Sequence, residues 1–352
     1  MLTFKEKQTC RWDLISLGEV LLRFDPGDRR IHSTREFTVW DGGAEYNVAA
    51  NLSRVFRMQT SIITALADNA IGHLTEDLVR NAGVDIDEII WRKHDGIGAN
   101  TRNGLYFIER GFGLRAPAST FDRDNTAVSQ LNEGDIDWTK MFGEKGALWL
   151  HTGGVFAGLS EMTPGVAVAG MQAAKANGTV VSYDLNYRHS LWSTRGGRDA
   201  ANKLNRKLLP HADVVFGIFD FDSTLSGYSE DEFRTAAGKM LADFPNLKII
   251  VSTLRETHSA SRHDLAGVCL SNGEVFRSRD YKNIEVIDRV GSGDAFASAF
   301  IYSMLEGQDP QFAIDCASAH AALAMTTPGD GSMCTLNEVL DLVGGGDATI
   351  KR

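Results

Sequence analysis

The run Asp288-Arg289-Val290-Gly291-Ser292-Gly293-Asp294-Ala295-Phe296 holds the residue types best suited to chemistry. Two glycines bracket a serine, and an aspartate follows at once. The strand-like Ile284-Glu285-Val286-Ile287 precedes the run, and 295–306 reads as a mostly buried helix stopped by Gly307. The glycines therefore sit where a strand turns into a helix N-terminus. Free backbone N–H groups and the helix dipole favour an anion there. A carboxylate beside such an anion hole can take a proton from the group that arrives. A simpler reading makes Gly-Ser-Gly a tight turn and Asp294 a helix cap.

A second glycine pair, Gly42-Gly43, opens a helix over 44–55. Paired glycines let a ligand approach the backbone closely, and Asn47 in the first turn brings an amide to the same ligand. The alternative is a Gly-rich turn with a helix-facing Asn. No G-x-x-x-x-G-K-[ST], H-E-x-x-H, G-x-S-x-G or post-strand G-x-G-x-x-G is present, and the nine histidines show no metal-ligand spacing. On their own, His189 and His320 read as structural or solvated. An anion hole carrying a carboxylate, with polar residues and arginines elsewhere, suits phosphoryl transfer. The Gly291-Ser292-Gly293 amides would hold the charge developing on the transferred group, and Asp294 would deprotonate the attacking hydroxyl. A carboxylate with a pKa of about 4 is a weak base, but a loose transition state needs deprotonation only late.

The elements that must position these groups alternate. Residues 14–24 read as strand, bend, strand, closed by the turn Pro26-Gly27-Asp28. A strand at 61–67 and a helix at 71–81 follow. The segment 96–119 interrupts the rhythm and reads as an inserted lid of antiparallel strands, with Phe121-Asp122-Arg123 as its return strand. Strands at 148–151, 180–186, 213–216 and 248–253 then alternate with helices at 165–177, 200–209 and 231–243. A hairpin at 268–276 and a helix at 311–325 complete the pattern, and Gly344-Gly345-Gly346 reads as a loose tail. Such alternation predicts an α/β fold, a mostly parallel sheet with helices on both faces. Ligands bind at the carboxyl ends of those strands, where Asp184, Asn186, Arg188, Gly291 and Asp294 fall.

A chain of 352 residues accommodates one large α/β domain with a sizeable core. A formal charge of −10 with no long basic run argues against nucleic acid and anionic membrane surfaces as partners. Cys10, Cys269, Cys316 and Cys334 are scattered with no C-x-x-C spacing, as for reduced thiols in the cytoplasm. The segment 1–7 leads into no apolar stretch of signal or membrane-span length.

Together, D-x-x-G-x-G-D-x-F at Asp288 and G-G-x-x-x-N-x-A at Gly42 resemble the two signatures of the ribokinase-like (PfkB) sugar kinases. The resemblance covers the chain from about Leu14 to Gly345. Within the family, Gly42-Gly43-Ala44-Glu45-Tyr46-Asn47-Val48-Ala49, Gly104-Leu105-Tyr106-Phe107 and Asp184-Leu185-Asn186-Tyr187-Arg188 resemble 2-keto-3-deoxygluconate kinases. Phe121-Asp122-Arg123 matches the lid strand that brings an arginine to the substrate.

The resemblance implies a ribokinase-like, Rossmann-like domain over 1–352, with a β-sheet lid built from about 20–40 and 96–125. It implies pairing with a second subunit's lid, hence a homodimer. Gly42, Gly43, Asn47, Tyr106, Arg123 and Arg188 would bind a sugar acid, the two guanidinium forks suiting its carboxylate. Asp294 would be the base, with Gly291, Ser292 and Gly293 as anion hole. ATP, with Mg2+, would lie along Asn186, Thr253, Arg255, Gly291, Gly293 and the helix around 317–321, His320 included. Asp288 would help place a monovalent cation, although Arg289 stands where a small hydroxyl residue is usual.

One departure stands out. The family carries an N-x-x-E element after the strand that is here Val214-Val215-Phe216, and this chain has Gly217-Ile218-Phe219-Asp220-Phe221-Asp222. Either Asp220 or Asp222 substitutes in organising Mg2+, or metal and phosphate handling is altered. The leading expectation is ATP-dependent phosphorylation of 2-keto-3-deoxygluconate at its terminal hydroxyl. A kinase for a neutral sugar or nucleoside, and a catalytically weak sugar-binding protein of kinase descent, are the alternatives.

Overall fold

The computed structural model describes residues 2–346. Its first strand, β1 (Trp12–Leu17), is buried at every position, as a strand covered on both faces must be. The chain leaves the sheet through β2 (Leu21–Asp25) and β3 (Thr38–Gly42), then returns by α1 (Ala44–Arg54) and β4 (Thr60–Asp68). Next come α2 (Ala70–Asn81), β5 (Val84–Asp85) and β6 (Ile89–Lys93), and a second excursion through β7 (Gly104–Glu109) and β8 (Ala118–Asp122). Regular alternation follows: β9 (Ala147–Gly153), α3 (Gly154–Ala157), α4 (Thr163–Ala176), β10 (Val180–Asp184), α5 (His189–Trp192), α6 (Gly197–Leu208), β11 (Val214–Phe216) and α7 (Glu230–Asp243). The remainder holds β12 (Ile249–Ser259), β13 (Arg262–Ser271), β14 (Glu274–Arg277), β15 (Tyr281–Glu285), α8 (Ser292–Leu305), α9 (Pro310–Ala324) and α10 (Leu336–Val343).

Among the described residues, eleven strands form one sheet in the order β14-β13-β12-β11-β10-β9-β1-β4-β5, with β15 on β13 and β6 on β4. Neighbours from β12 to β4 run parallel, and β13 to β15 add an antiparallel edge. One apolar cluster joins α1, α8 and α9 to one face, through Val48, Phe300 and Ala317. A second joins α4, α6 and α7 to the other, through Val166, Leu208 and Phe233. This is the expected α/β architecture.

The small sheet has the order β3-β2-β7-β8 and is not wholly antiparallel as expected: β2 and β7 pair parallel. Each follows a parallel strand of the main sheet, β1 or β6, so both leave its carboxyl edge in the same direction. The hairpin beyond the expected strand at 248–253 is also longer. β12 continues to Ser259 and pairs with β13 from Arg262 onward. Its tip reaches the small sheet's loop, where Gly113 N donates to Ser261 Oγ at 3.0 Å and Ala260 N to Gly113 O at 3.0 Å. β15 stops at Glu285, short of Ile287. The unanticipated α10 starts with a Thr335–Glu338 capping box. No helix among the described residues is long and apolar enough to cross a membrane.

Candidate active site

Two helix N-termini meet at the carboxyl edge of the main sheet. Gly43 caps α1 with φ 148°, and a Cβ there would collide with the Glu19 carbonyl. Gly291 caps α8 with φ 78°, and a Cβ there would overlap the Asp330 carbonyl. Both positions therefore require glycine for their own backbone turns. Between the helices, Asn47 Nδ2 donates to Asp294 Oδ2 at 2.7 Å. Asp294 is not a cap exposed to solvent. Burial pushes its pKa up to about 8, against the Asn47 hydrogen bond and the Arg188 charge, which lower it. A carboxylate so shifted would be a stronger base than the one expected from sequence, and one matched to neutral pH.

Cations gather beside this pair. Arg255 Nη2 donates to Ser292 Oγ at 3.1 Å. Burial, then the charges of Arg289 and Arg188, lowers the Arg255 pKa to about 10, so the guanidinium stays charged at neutral pH. Three arginines close enough to repel one another beside free helix amides form an anion site. Arg188 caps α5 and is exposed, facing Asp184 and Asp294 with its charge.

Opposite them lie three carboxylates, Glu19 and Glu45 buried and Asp184 partly so. Glu45 accepts Phe156 N at 2.9 Å, its other oxygen has no partner, and burial pushes its pKa up to about 7. Asp184 is pushed up to about 6 by burial, while Arg188 and the Asn186 N–H donated at 2.9 Å lower it. Glu19 is raised by burial despite its ion pair with Arg123, and its second oxygen is unpartnered. Two orphaned carboxylate oxygens at one strand edge can accept hydroxyls.

The model of the pfkB family carbohydrate kinases matches residues 13–338. The chain belongs to the pfkB family of carbohydrate kinases. A 2-dehydro-3-deoxygalactonokinase from Haloferax volcanii is 29% identical over 97% of this chain and 99% of its own. A 5-dehydro-2-deoxygluconokinase from Clostridium perfringens is 26% identical over 92% and 89%. The crystal structure of the 2-dehydro-3-deoxygluconokinase from Thermotoga maritima has a TM-score of 0.84 at 30% identity, covering 94% of this chain and 99% of that one. This pfkB-family chain is thus a phosphotransferase acting on a sugar hydroxyl, with the ribokinase-like fold.

In this kinase the other expected residues are distributed unevenly. Arg123 lies just past β8, bonded to Glu19 and over the Phe121 ring at 5.5 Å. Tyr106 donates its hydroxyl to Asp330, and a Cβ on Gly42 would meet that same carboxylate, so both belong to a buried cluster behind the helix ends. Asn186 adopts φ 36° and turns its amide onto Asp184. Thr253 sits half-buried in β12 opposite Gly267.

Two expectations need correction. His320 is fully buried between α8 and α9, bonded through Nδ1 to Ala295 O at 2.8 Å and near Ser298 Oγ at 3.2 Å, and Ala317 to Ala321 are buried with it. That stretch faces the core, not a nucleotide. Asp288 spends one oxygen on Arg23 and the other on Val290 N at 3.1 Å, so a guanidinium occupies the place assigned to a cation.

The described residues contain no group of His, Cys, Asp or Glu able to cage a metal. Asp220 and Asp222, the expected substitutes in organising Mg2+, line a groove with Arg206, Lys239 and Asp243. Phe219 is buried in the core and Phe221 packs against it, so the two rings anchor this segment. Sequence reasoning missed Glu19, Glu45, Arg23 and Asp330. Only Gly18-Glu19 after β1 and Pro328-Gly329-Asp330 offered a local signal.

Proposed function

We propose that this kinase transfers the γ-phosphoryl group of ATP to the terminal hydroxyl of a 2-keto-3-deoxy sugar acid, with 2-keto-3-deoxygluconate the first choice. The Asn47–Asp294 contact beside the Gly291–Gly293 turn carries the reading. Asp294 Oδ2 is held by Asn47, which leaves Oδ1 to accept the hydroxyl proton. The amides of Gly291, Ser292 and Gly293, aided by the α8 dipole, hold the charge that develops on the phosphoryl oxygens. Arg255 and Arg289 neutralise the nucleotide phosphates. Mg2+ would arrive on those phosphates and supply charge neutralisation; the described residues hold no cage of carboxylates to receive it.

The relatives named as dehydro-deoxy-glucono- and galactonokinases support a sugar acid. Arg123 is already paired with Glu19, so it offers a hydrogen-bond donor with little net charge. Arg188 has no such carboxylate bonded to it and supplies the counter-charge for the substrate carboxylate.

A coupled ADP-release assay over a panel of sugar acids and neutral sugars tests the proposal. Turnover is expected to be fastest with a 2-keto-3-deoxy acid, and Arg188→Ala to raise KM for the acid far more than for a neutral sugar. A folded sample that turns over no sugar or sugar acid overturns the reading. An unchanged KM in Arg188→Ala moves the assignment to a neutral sugar.

A further inference from the structure

Arg23 belongs to β2 of the small sheet, yet its guanidinium is wholly buried beneath the helix ends of the site. Nη1 donates to Asp330 Oδ1 at 2.8 Å, and Nη2 donates to Asp25 Oδ2 at 2.8 Å and to Asp288 Oδ2. Tyr106 holds the other Asp330 oxygen, and Arg110 Nε stands 3.4 Å from Asp25. Three buried carboxylates thus converge on one guanidinium. Burying so many charges is costly, and a structural ion pair would need only one of them.

The partners show what the cluster grips. Asp288 turns the chain into Gly291 by accepting Val290 N–H with its second oxygen. The Asp330 carbonyl lies so close to Gly291 that a Cβ there would overlap it, and only glycine fits. Arg23 therefore clamps both flanks of the turn that carries the anion-hole amides. Without it, Asp288 and Asp330 would repel each other and any incoming phosphoryl group at close range.

Resting on the reading of Gly291–Gly293 as an anion hole, we propose that Arg23 is a positioning residue for phosphoryl transfer, an internal cation that holds this turn in register. It touches neither sugar nor nucleotide. Its loss should weaken binding of the transferring phosphoryl group while leaving ground-state binding nearly intact.

Wild type, Arg23→Ala and Arg23→Lys would be compared by thermal melting and by calorimetry with ADP alone and with ADP plus aluminium fluoride, a mimic of the transferring group. Wild type is expected to bind ADP with aluminium fluoride much more tightly than ADP. Arg23→Ala should keep ADP affinity within about twofold but lose about tenfold or more of the aluminium fluoride gain, with kcat falling in parallel and KM unchanged. Sub-denaturing guanidinium chloride, but not urea, should restore it. Arg23→Lys keeps the charge, cannot bridge three carboxylates, and should show the same split.

A folded Arg23→Ala with the full aluminium fluoride gain, or a loss that guanidinium does not restore, overturns the proposal. Should Arg23→Ala not fold, Arg23→Lys decides: wild-type behaviour there overturns it equally. If wild type itself gains nothing from aluminium fluoride, the anion-hole reading fails first and the Arg23 assignment falls with it.

Discussion

Asn47 Nδ2 donates to Asp294 Oδ2 across 2.7 Å, which ties the first turn of α1 to the first turn of α8. The donor favours the ionised carboxylate, and burial opposes it more strongly, leaving the pKa at about 8. The unfolded group titrates at about 3.9. A raised folded pKa means that the group's contribution to stability is complete below the unfolded pKa and is lost as pH rises through the folded one. Under the proposed mechanism activity runs the other way, because Asp294 would act as a base in its ionised form. The kcat/KM profile, which reports the free enzyme, should climb with pH, reach half its limit near pH 8 and level off above it.

Asp294→Asn should lower kcat by about 10²–10⁴-fold. It should also raise the melting temperature above neutral pH, since the amide removes a buried ionised group. A variant that loses activity and stability together at every pH would contradict this account.

Asn47→Leu separates orientation of the base from contact with sugar. Losing a hydrogen bond to a charged group is worth about 1.5–3 kcal/mol, hence about one to two units on the Asp294 pKa. The acidic limb of the kcat/KM profile should move up by that amount, with activity largely recovered at alkaline pH. A rise in KM with an unmoved limb would show that Asn47 serves only the sugar.

The reach of sequence reasoning follows from locality. Gly42-Gly43 and Gly291-Ser292-Gly293-Asp294 are contiguous, and a helix N-terminus is a local structure, so both are readable in place. Arg23 and Asp330 are 307 residues apart, and Arg23 and Asp288 are 265 apart. Nothing in β2 marks one arginine as the clamp of a distant turn. Glu19 and Glu45 look like ordinary acids, and their altered protonation arises only once strand ends, α3 and the small sheet enclose them. The extension of β12 is hidden for another reason. Arg255-Glu256-Thr257-His258 is polar like a loop, because the hairpin leaves the covered part of the sheet.

Arg123 and Glu19 offer a test of the acidic side of the site. Glu19 is buried, whereas Arg123 is partly open to solvent. Removing the arginine leaves the buried carboxylate without its main compensating charge, a loss of about 3 kcal/mol where Glu19 is ionised. Arg123 lowers the Glu19 pKa, so Arg123→Ala raises it further. The raised group destabilises only when ionised, and the loss should therefore be large in urea titrations at about pH 8 and small at about pH 5. Adding Glu19→Gln to Arg123→Ala should recover most of it. An equal loss at both pH values would mean that Arg123 acts through packing on Phe121.

His320 makes the complementary case in acid. Its Nδ1 bonds to the Ala295 carbonyl in the first turn of α8, its ring stands edge-on to Phe56 at 5.2 Å, and Nε2 is buried without a partner. Burial lowers its pKa to about 4, against the raising effect of the Ala295 carbonyl. The unfolded imidazole titrates at about 6.5. The neutral ring stabilises the fold above the unfolded pKa, and that stability is lost as pH falls through the folded one. His151, lowered to about 3 by burial, adds a slope of the same sign. His320→Phe should therefore flatten the decline in melting temperature between these limits without abolishing it. Nucleotide affinity measured by calorimetry at neutral pH should be unchanged, because the ring faces the core between α8 and α9. A weakened affinity in a variant that melts like wild type would return His320 to the nucleotide site.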